Sequence, residues 1–406
     1  MSNKRDISVF PPSTNHEHPV RRNTWTTTTC LARRENFTTQ TIRRRNEGAI
    51  NGSSGHPAVS SLSHGLGALK NIAGDHCSAP DDEILLDEWD WEIGVGLYGD
   101  FRRAEADGDA VALARIGRWY DRMLDSGLPR RHVNSTATLL TLALLAQHEG
   151  RGDWVAVVRD WAEWVATQLP RTDEGGYQHT VKERDNDGEL WDDTLMMAAL
   201  FIAAAGRLCQ RDDWVDDAHY QFLTHIRFLG DRNSGLFFHG WTFLGRHNFT
   251  RALWARGNAW LAIAIPELYR IAPPAGAVDR YLREVFGTLI GALLRLQNSE
   301  GLWHTLLDDP ASPIEASGSA GIAYGMLAGK RERIMPPHLC SGTRAAADRA
   351  CSALLARIDR HGLLGDVSGG TQMGHDLDFY RDIRNLPTPY GQALGALFFN
   401  ERIRLG

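Results

Sequence analysis

The sequence predicts an all-α protein built as an (α/α)6 barrel, and three observations carry that expectation. From residue 57 onward, helical patterns follow one another to the C-terminus with little that reads as a long strand. The helices are of two kinds, one amphipathic and one apolar on nearly every side, and the kinds alternate along the chain. Each helix of the apolar kind is also headed by a short cluster of aromatic and polar residues.

Residues 1–56 are rich in Ser, Thr, Asn, Arg and Gly and hold no hydrophobic period, so they read as a disordered N-terminal extension, with the barrel domain over 57–406. Residues 58–73 place Val59, Leu62, Leu66, Leu69 and Ile72 at three- and four-residue steps, one helical face. Gly65 and Gly67 weaken that helix by about 1 kcal/mol each relative to Ala. The stretches GVGLYGDF, NSTATLLTLALLA, DDTLMMAALFIAAAG, GNAWLAIAIPEL, SGSAGIAYGMLAG and PYGQALGALFF are small-residue-rich and apolar all round, as helices buried on every side must be. Between them, Val111–Leu124, Trp154–Leu169, Trp214–Leu229, Val278–Leu296 and Ala345–Ile358 each pair an apolar stripe with a charged face. Six inner helices and five outer ones leave one outer helix to find, and 58–73 is assigned to it.

Composition narrows the function. A net charge of −6 over 406 residues gives no electrostatic footprint for nucleic acid. The five cysteines, Cys30, Cys77, Cys209, Cys340 and Cys351, are scattered and lack metal-site spacing, so they read as free thiols of a reducing compartment. Neither a membrane-length apolar run nor a secretory h-region is evident, which makes a cytoplasmic location the expectation.

The clusters that head the apolar helices are WDWE (89–92), RHVN (131–134), ELWDD (189–193), LWARGN (253–258), IEASGS (314–319) and RNLPTPY (384–390). If the inner helices run the same way, all six converge on one mouth. A concave, aromatic-rich site with a few charged groups suits a sugar, because rings stack on its apolar faces while polar groups fix its hydroxyls.

Taken together, WDWEIGVGLYG, ELWDDTLMMAALFIAA, GLFFHGW, LWARGNAW, EASGSAGIAYGML and GTQMGHDLDFY…YGQALGAL resemble the unsaturated rhamnogalacturonyl hydrolases of glycoside hydrolase family 105, and more distantly the unsaturated glucuronyl hydrolases of family 88. The resemblance runs over roughly residues 85 to 405, in order. It implies an (α/α)6 barrel and a hydrolase without metal or other cofactor. Such an enzyme removes a 4,5-unsaturated uronic acid from the non-reducing end of oligosaccharides left by polysaccharide lyases. The expected partner is therefore a small oligosaccharide, met by a monomer or weak homodimer.

The resemblance makes Asp193 the catalytic acid and base. Helical geometry agrees, since Asp193, Met196, Met197 and Leu200 share a stripe while Asp192 lies about 100° away. Asp192 then reads as a first-turn anion favoured by the helix dipole. His239 is expected to hydrogen-bond the sugar, and Trp254 and Trp260 to form stacking walls. Arg256 should meet the substrate through its planar fork. His179, Trp91 and Met197 complete the candidate binding residues. Asn134 stands where several relatives have a second aspartate, so it can orient substrate but cannot titrate. The loop residues His375, Asp376 and Asp378 suggest a metal only in isolation. Two other readings stay open at this point. One is a sugar 2-epimerase using His179 and His239 as facing acid and base. The other is a non-catalytic glycan-binding barrel.

Overall fold

A computed structural model describes residues 88–405. The expected extension over 1–56 and the outer helix over 58–73 lie outside the described residues.

The inner helices are α1 (Trp91–Asp107), α3 (Val133–Glu149), α5 (Leu200–Cys209), α7 (Ala255–Ile271), α9 (Ala316–Arg331) and α12 (Pro389–Arg404). Each packs on the next, and α12 returns to α1, so the ring closes. Their compositions explain the closeness of the packing. A Cβ on Gly94 of α1 would stand 2.7 Å from the Ala137 carbonyl carbon of α3, and one on Gly325 of α9 would stand 2.4 Å from the Ala262 oxygen of α7. Only glycine lets these backbones meet.

The outer helices are α2 (Ala110–Ser126), α4 (Gly152–Thr167), α6 (Asp212–Leu229), α8 (Gly276–Leu296) and α10 (Cys340–Leu355). Each begins and ends within a few residues of its sequence expectation. They bury one face, including Trp119, Trp161, Trp214 and Phe286, and leave the other in water. A short helix, α11 (Leu377–Arg381), lies in the connection to α12.

Two three-residue strands were not anticipated. β1 (Glu189–Trp191) pairs antiparallel with β2 (Gly240–Thr242), setting Leu190 opposite Trp241. The ladder continues one step further, where the Asp192 N–H donates to the His239 carbonyl at 3.0 Å. This ties the ELWDD and FFHGW segments together at the mouth.

The other end of the barrel is closed by charge. Glu267, fully buried near the end of α7, accepts from the Tyr98 and Tyr324 hydroxyls and from Arg331 at 2.6 Å, and Arg102 lies 3.6 Å away. Arg331 also reaches Glu401 of α12 at 2.7 Å. Burial alone would raise the Glu267 pKa, but Arg331 and Arg102 outweigh it and hold the carboxyl down at about 2.

Candidate active site

The inner helices do run the same way at the mouth, and the side chains of their leading clusters meet there. Trp91 of α1 stacks on Tyr390 of α12 at 4.6 Å and touches Trp260 of α7 edge-on at 6.2 Å. The Thr136 hydroxyl of α3 donates to the Met197 carbonyl at 3.0 Å.

Asp193 sits between β1 and a π-helical stretch, Leu195–Ala199, that precedes α5. Such wide turns are characteristic of functional positions in helices. The Asp193 side chain is 18% exposed, at the bottom of the mouth. Desolvation raises its pKa to about 7, against the opposing pull of backbone N–H groups and the Arg256 charge. A carboxyl so placed holds a proton near neutrality and can donate it.

His179 lies flat on Trp191, with ring centroids 4.3 Å apart and planes at 6°. Its Nδ1 is 2.7 Å from the Thr194 hydroxyl and 3.3 Å from Asp193 Oδ1. Burial, followed by the neighbouring His239, His225 and His132, holds its pKa well below the usual imidazole range. The approach to Asp193 is thus that of a neutral ring whose Nδ1 hydrogen bond goes to Thr194. His239 lies 4.4 Å from the Trp254 ring, and its Nδ1 is 2.7 Å from the Tyr380 hydroxyl. That hydroxyl also accepts the Gly374 N–H at 3.2 Å and lies 3.9 Å from Met373 Sδ. Burial first, then Arg256, lowers the His239 pKa to about 3, so the ring is neutral, and its Nε2 is buried without a partner among the described residues. Both histidines pack on the Trp191 indole, His179 flat and His239 edge-on at 5.5 Å. Burial keeps both rings neutral.

Three sequence expectations are corrected. Asp192 caps nothing: it is fully buried, and neither carboxyl oxygen has a hydrogen-bond partner among the described residues. Its Oδ2 would lie 1.8 Å from a Cβ on Gly257, so the glycine of the WARGN motif makes room for it. Burial, then repulsion from Asp193, raises its pKa well above the usual range and keeps it neutral. Arg256 does not present a free fork. It is 1% exposed, and its Nη1 and Nη2 donate to Ser368 O and Oγ, Gly369 O and Thr371 Oγ1 at 2.6–3.0 Å. Its plane lies between Trp254 and Tyr390, 4.5 and 4.7 Å from their centroids. Arg256 therefore holds the 368–371 loop over the mouth and sets the local field. Trp254 and Trp260, the expected stacking walls, are 2% and 1% exposed, and Met197, an expected binding residue, is 1% exposed, so all three pack in the interior.

Trp91 and Asn134 are half-buried at the mouth, and Asn134 Oδ1 is a buried acceptor with no donor among the described residues. Unpartnered buried polar atoms gather here: Asn134, His179, Asp192, Asp193, His239 and Trp254 each contribute at least one. Buried polar groups normally find partners, so such a gathering marks where a ligand supplies them. Sequence reasoning did not single out Trp191, Tyr380 or Tyr390, although all three stood in quoted stretches, because tertiary contacts are what bring them to the site. Of the loop residues, Asp376 caps α11 through the Phe379 N–H at 2.7 Å, Asp378 pairs with Arg381 at 2.6 Å, and His375 meets Phe249 edge-on.

The close approach at Gly257 has a measurable consequence. Gly257→Ala should destabilise the protein by about 1–3 kcal/mol through overpacking against a carboxyl that has nowhere to go. Adding Asp192→Ala should recover part of that loss in a thermal melt.

A closed helical ring with a buried acid, neutral histidines and aromatic walls at one mouth defines the class: an (α/α)6-barrel glycoside hydrolase. The chain belongs to Glycosyl Hydrolase Family 88, whose family model matches residues 75–406. It is 30% identical over 328 residues to the unsaturated rhamnogalacturonyl hydrolase YesR of Bacillus subtilis, a span covering 78% of this chain and 90% of that protein. Among solved structures, a possible member of the GH105 family from Klebsiella pneumoniae is similar at 39% identity and a TM-score of 0.77, over 88% of this chain and 96% of that one. Another possible GH105 member, from Salmonella enterica, is similar at 37% identity and a TM-score of 0.76, over 87% and 96%. The resemblance carried by the sequence motifs therefore holds, and the glycoside hydrolase reading displaces both the epimerase and the non-catalytic barrel. Among the described residues, no helix is long and apolar enough to cross a membrane.

Proposed function

We propose that this enzyme removes a 4,5-unsaturated uronic acid from the non-reducing end of an oligosaccharide released by a polysaccharide lyase, with Asp193 as the general acid. The observation that carries the reading is one carboxyl at the mouth, partly exposed and raised to about 7, in a chain related to an unsaturated rhamnogalacturonyl hydrolase. The C4=C5 bond of such a sugar is a vinyl ether. Its difficult step is protonation at C4, which leaves an oxocarbenium-like cation at C5. Water adds at C5, the hemiketal opens, and the remaining sugar departs. No second carboxyl in the geometry of ordinary glycosidases is needed to expel a leaving group directly. The Asp193 carboxylate left by the first step is one base available to the adding water.

His179 would orient Asp193, and His239 would meet the sugar or its carboxylate through Nε2. Asn134 would position a hydroxyl or the water, and Trp91 would be a stacking wall. The test is direct: purified enzyme should abolish the ultraviolet absorbance of the conjugated uronate in unsaturated disaccharides from pectin, ulvan or glycosaminoglycan digests. Absence of any loss across that panel would sink the reading.

The pH dependence has a definite sign. Asp193 must enter the reaction protonated, and a carboxyl raised to about 7 is protonated below that pH and ionised above it. kcat should therefore decline as pH rises through about 7, and a steady-state profile checks it.

A further inference from the structure

Resting on the function just proposed, we infer that Glu315 is a positioning residue of the mouth, a buried counter-charge that fastens Arg256 to the 368–371 loop and offsets its field at Asp193. Glu315 immediately precedes α9 and is fully buried. As the N-cap it accepts from the Ser317 N–H at 3.2 Å and from the Gly318 N–H. Aspartate, asparagine, serine and threonine are the usual residues for that task. Here a longer side chain stands at the cap, and capping does not account for its further partners.

Those partners tie α9 to α7 and to the 368–371 loop. The Ser368 N–H donates to Glu315 Oε1 at 3.0 Å, and the Ser317 hydroxyl donates to the same oxygen at 2.7 Å. Arg256 of α7 grips the same two serines from its own side. Its Nη1 donates to Ser368 O and Oγ at 3.0 and 2.6 Å and to Ser317 Oγ at 3.3 Å. Glu315 Oε1 and Arg256 Nη1 are themselves 3.7 Å apart. The two helix starts must approach closely for this. A Cβ on Gly318 would stand 2.9 Å from the Arg256 backbone nitrogen and 2.8 Å from Glu315 Oε2, so glycine is what fits there. Two serines are thus clamped between a carboxylate and a guanidinium.

The hydrogen-bond partners of Arg256 are neutral carbonyls and hydroxyls, and among the described residues its ion pair is with Glu315. A guanidinium buried this deeply is strongly disfavoured without such a counter-charge. Its charge is felt at titratable groups on several elements: Asp192 and Asp193 after β1, His239 before β2, Glu92 of α1 and Tyr390 of α12. The Glu315 charge reaches Tyr390 with the opposite sign.

Asp193 is faced by Arg256, by Asp192 and by the neutral His179 at 3.3 Å. A nearby positive charge favours the ionised form of a carboxyl, and a negative one the protonated form. Arg256 alone would draw the proton off Asp193, and the paired Glu315 works against it. With Glu315 neutralised, Asp193 should give up its proton at a lower pH.

The experiment compares kcat against pH for the wild type, E315Q and E315D. E315Q removes the charge, while E315D keeps it on a side chain too short for the same hydrogen bonds. The alkaline limb should move about 0.5–1 pH unit lower in E315Q and stay in place in E315D. A limb that stays in E315Q, or moves equally in E315D, would overturn the proposal, because lost packing alone affects both variants. In E315D the 366–371 amides should exchange at least about tenfold faster, and protection equal to the wild type would overturn the hold on the loop. Should E315Q not fold, R256Q and R256Q/E315Q take its place. The limb should then lie lower in the double variant than in R256Q, and coincidence of the two refutes the role. If the wild type bleaches no substrate, the function fails, and Glu315 is tested by carbon-13 titration of aspartate-labelled protein, with the Asp193 signal identified by its loss in D193N. A lower Asp193 midpoint in E315Q supports the proposal, and an equal midpoint refutes it.

Discussion

Asp193→Asn should lower kcat by about 10²–10⁴ while leaving KM for an unsaturated disaccharide within a few-fold. Asn fills the same volume and keeps the polar contact with His179 Nδ1, which lies 3.3 Å from Asp193 Oδ1. What it removes is a transferable proton, so the loss belongs to the chemical step and not to binding. The residual rate should no longer fall as pH rises through about 7, because the group responsible for that limb is gone. Stability should be unchanged or slightly higher, since the desolvation that raises the Asp193 pKa is a cost of keeping an ionisable group there. Wild-type activity in the Asn variant would remove Asp193 from the mechanism altogether. Ultraviolet assays over pH with a parallel thermal melt distinguish these outcomes.

Glu267→Ala should have the largest effect on folding, about 3–5 kcal/mol. It leaves Arg331 and Arg102 facing one another without the carboxylate between them and strands the Tyr98 and Tyr324 hydroxyls. For a domain of this size the melting temperature should fall by roughly 5–15 °C. Replacing Glu267 and Arg331 together by leucine should recover only part of the loss, because Arg102 and Glu401 then each lack one of their partners. The pH sign follows from the depressed pKa. Glu267 is held at about 2, below its value in an unfolded chain, so its stabilisation is present above the ordinary glutamate range and lost as pH falls toward 2. Acid titration of stability in wild type and Glu267→Gln should therefore converge at low pH. Activity at a permissive temperature should survive in every one of these variants.

The barrel was legible because its inner helices must be apolar on all sides and its outer helices on one, a contrast written plainly in the residues. The convergence of the six leading clusters followed from the ring alone. The roles within those clusters were harder. Asp192 and Asp193 were separated by assuming an ordinary helix, yet Leu195–Ala199 is π-helical, and Asp192 turned out to be a buried neutral acid against Gly257 instead of a dipole-stabilised anion. Arg256 was expected to reach for substrate because its guanidinium suits a carboxylate. Its actual partners, Ser368, Gly369 and Thr371, are more than a hundred residues away in sequence. Tyr380 entered the site by the same kind of distant contact, through His239.

The ion cluster around Glu267 and the mouth around Asp193 occupy opposite ends of the same helices. Changes confined to one end should consequently add to changes at the other, since distant sites with no shared partners act independently. The connecting segment 243–251 can then be exchanged for others of different length or shape without drawing on the contacts that keep the ring closed, whereas 366–376 cannot, because its Ser368, Gly369 and Thr371 hold the buried Arg256. A scaffold arranged in this way lends itself to retargeting. A library restricted to that one segment should yield folded proteins at a high rate, with its diversity expressed in which sugars are accepted.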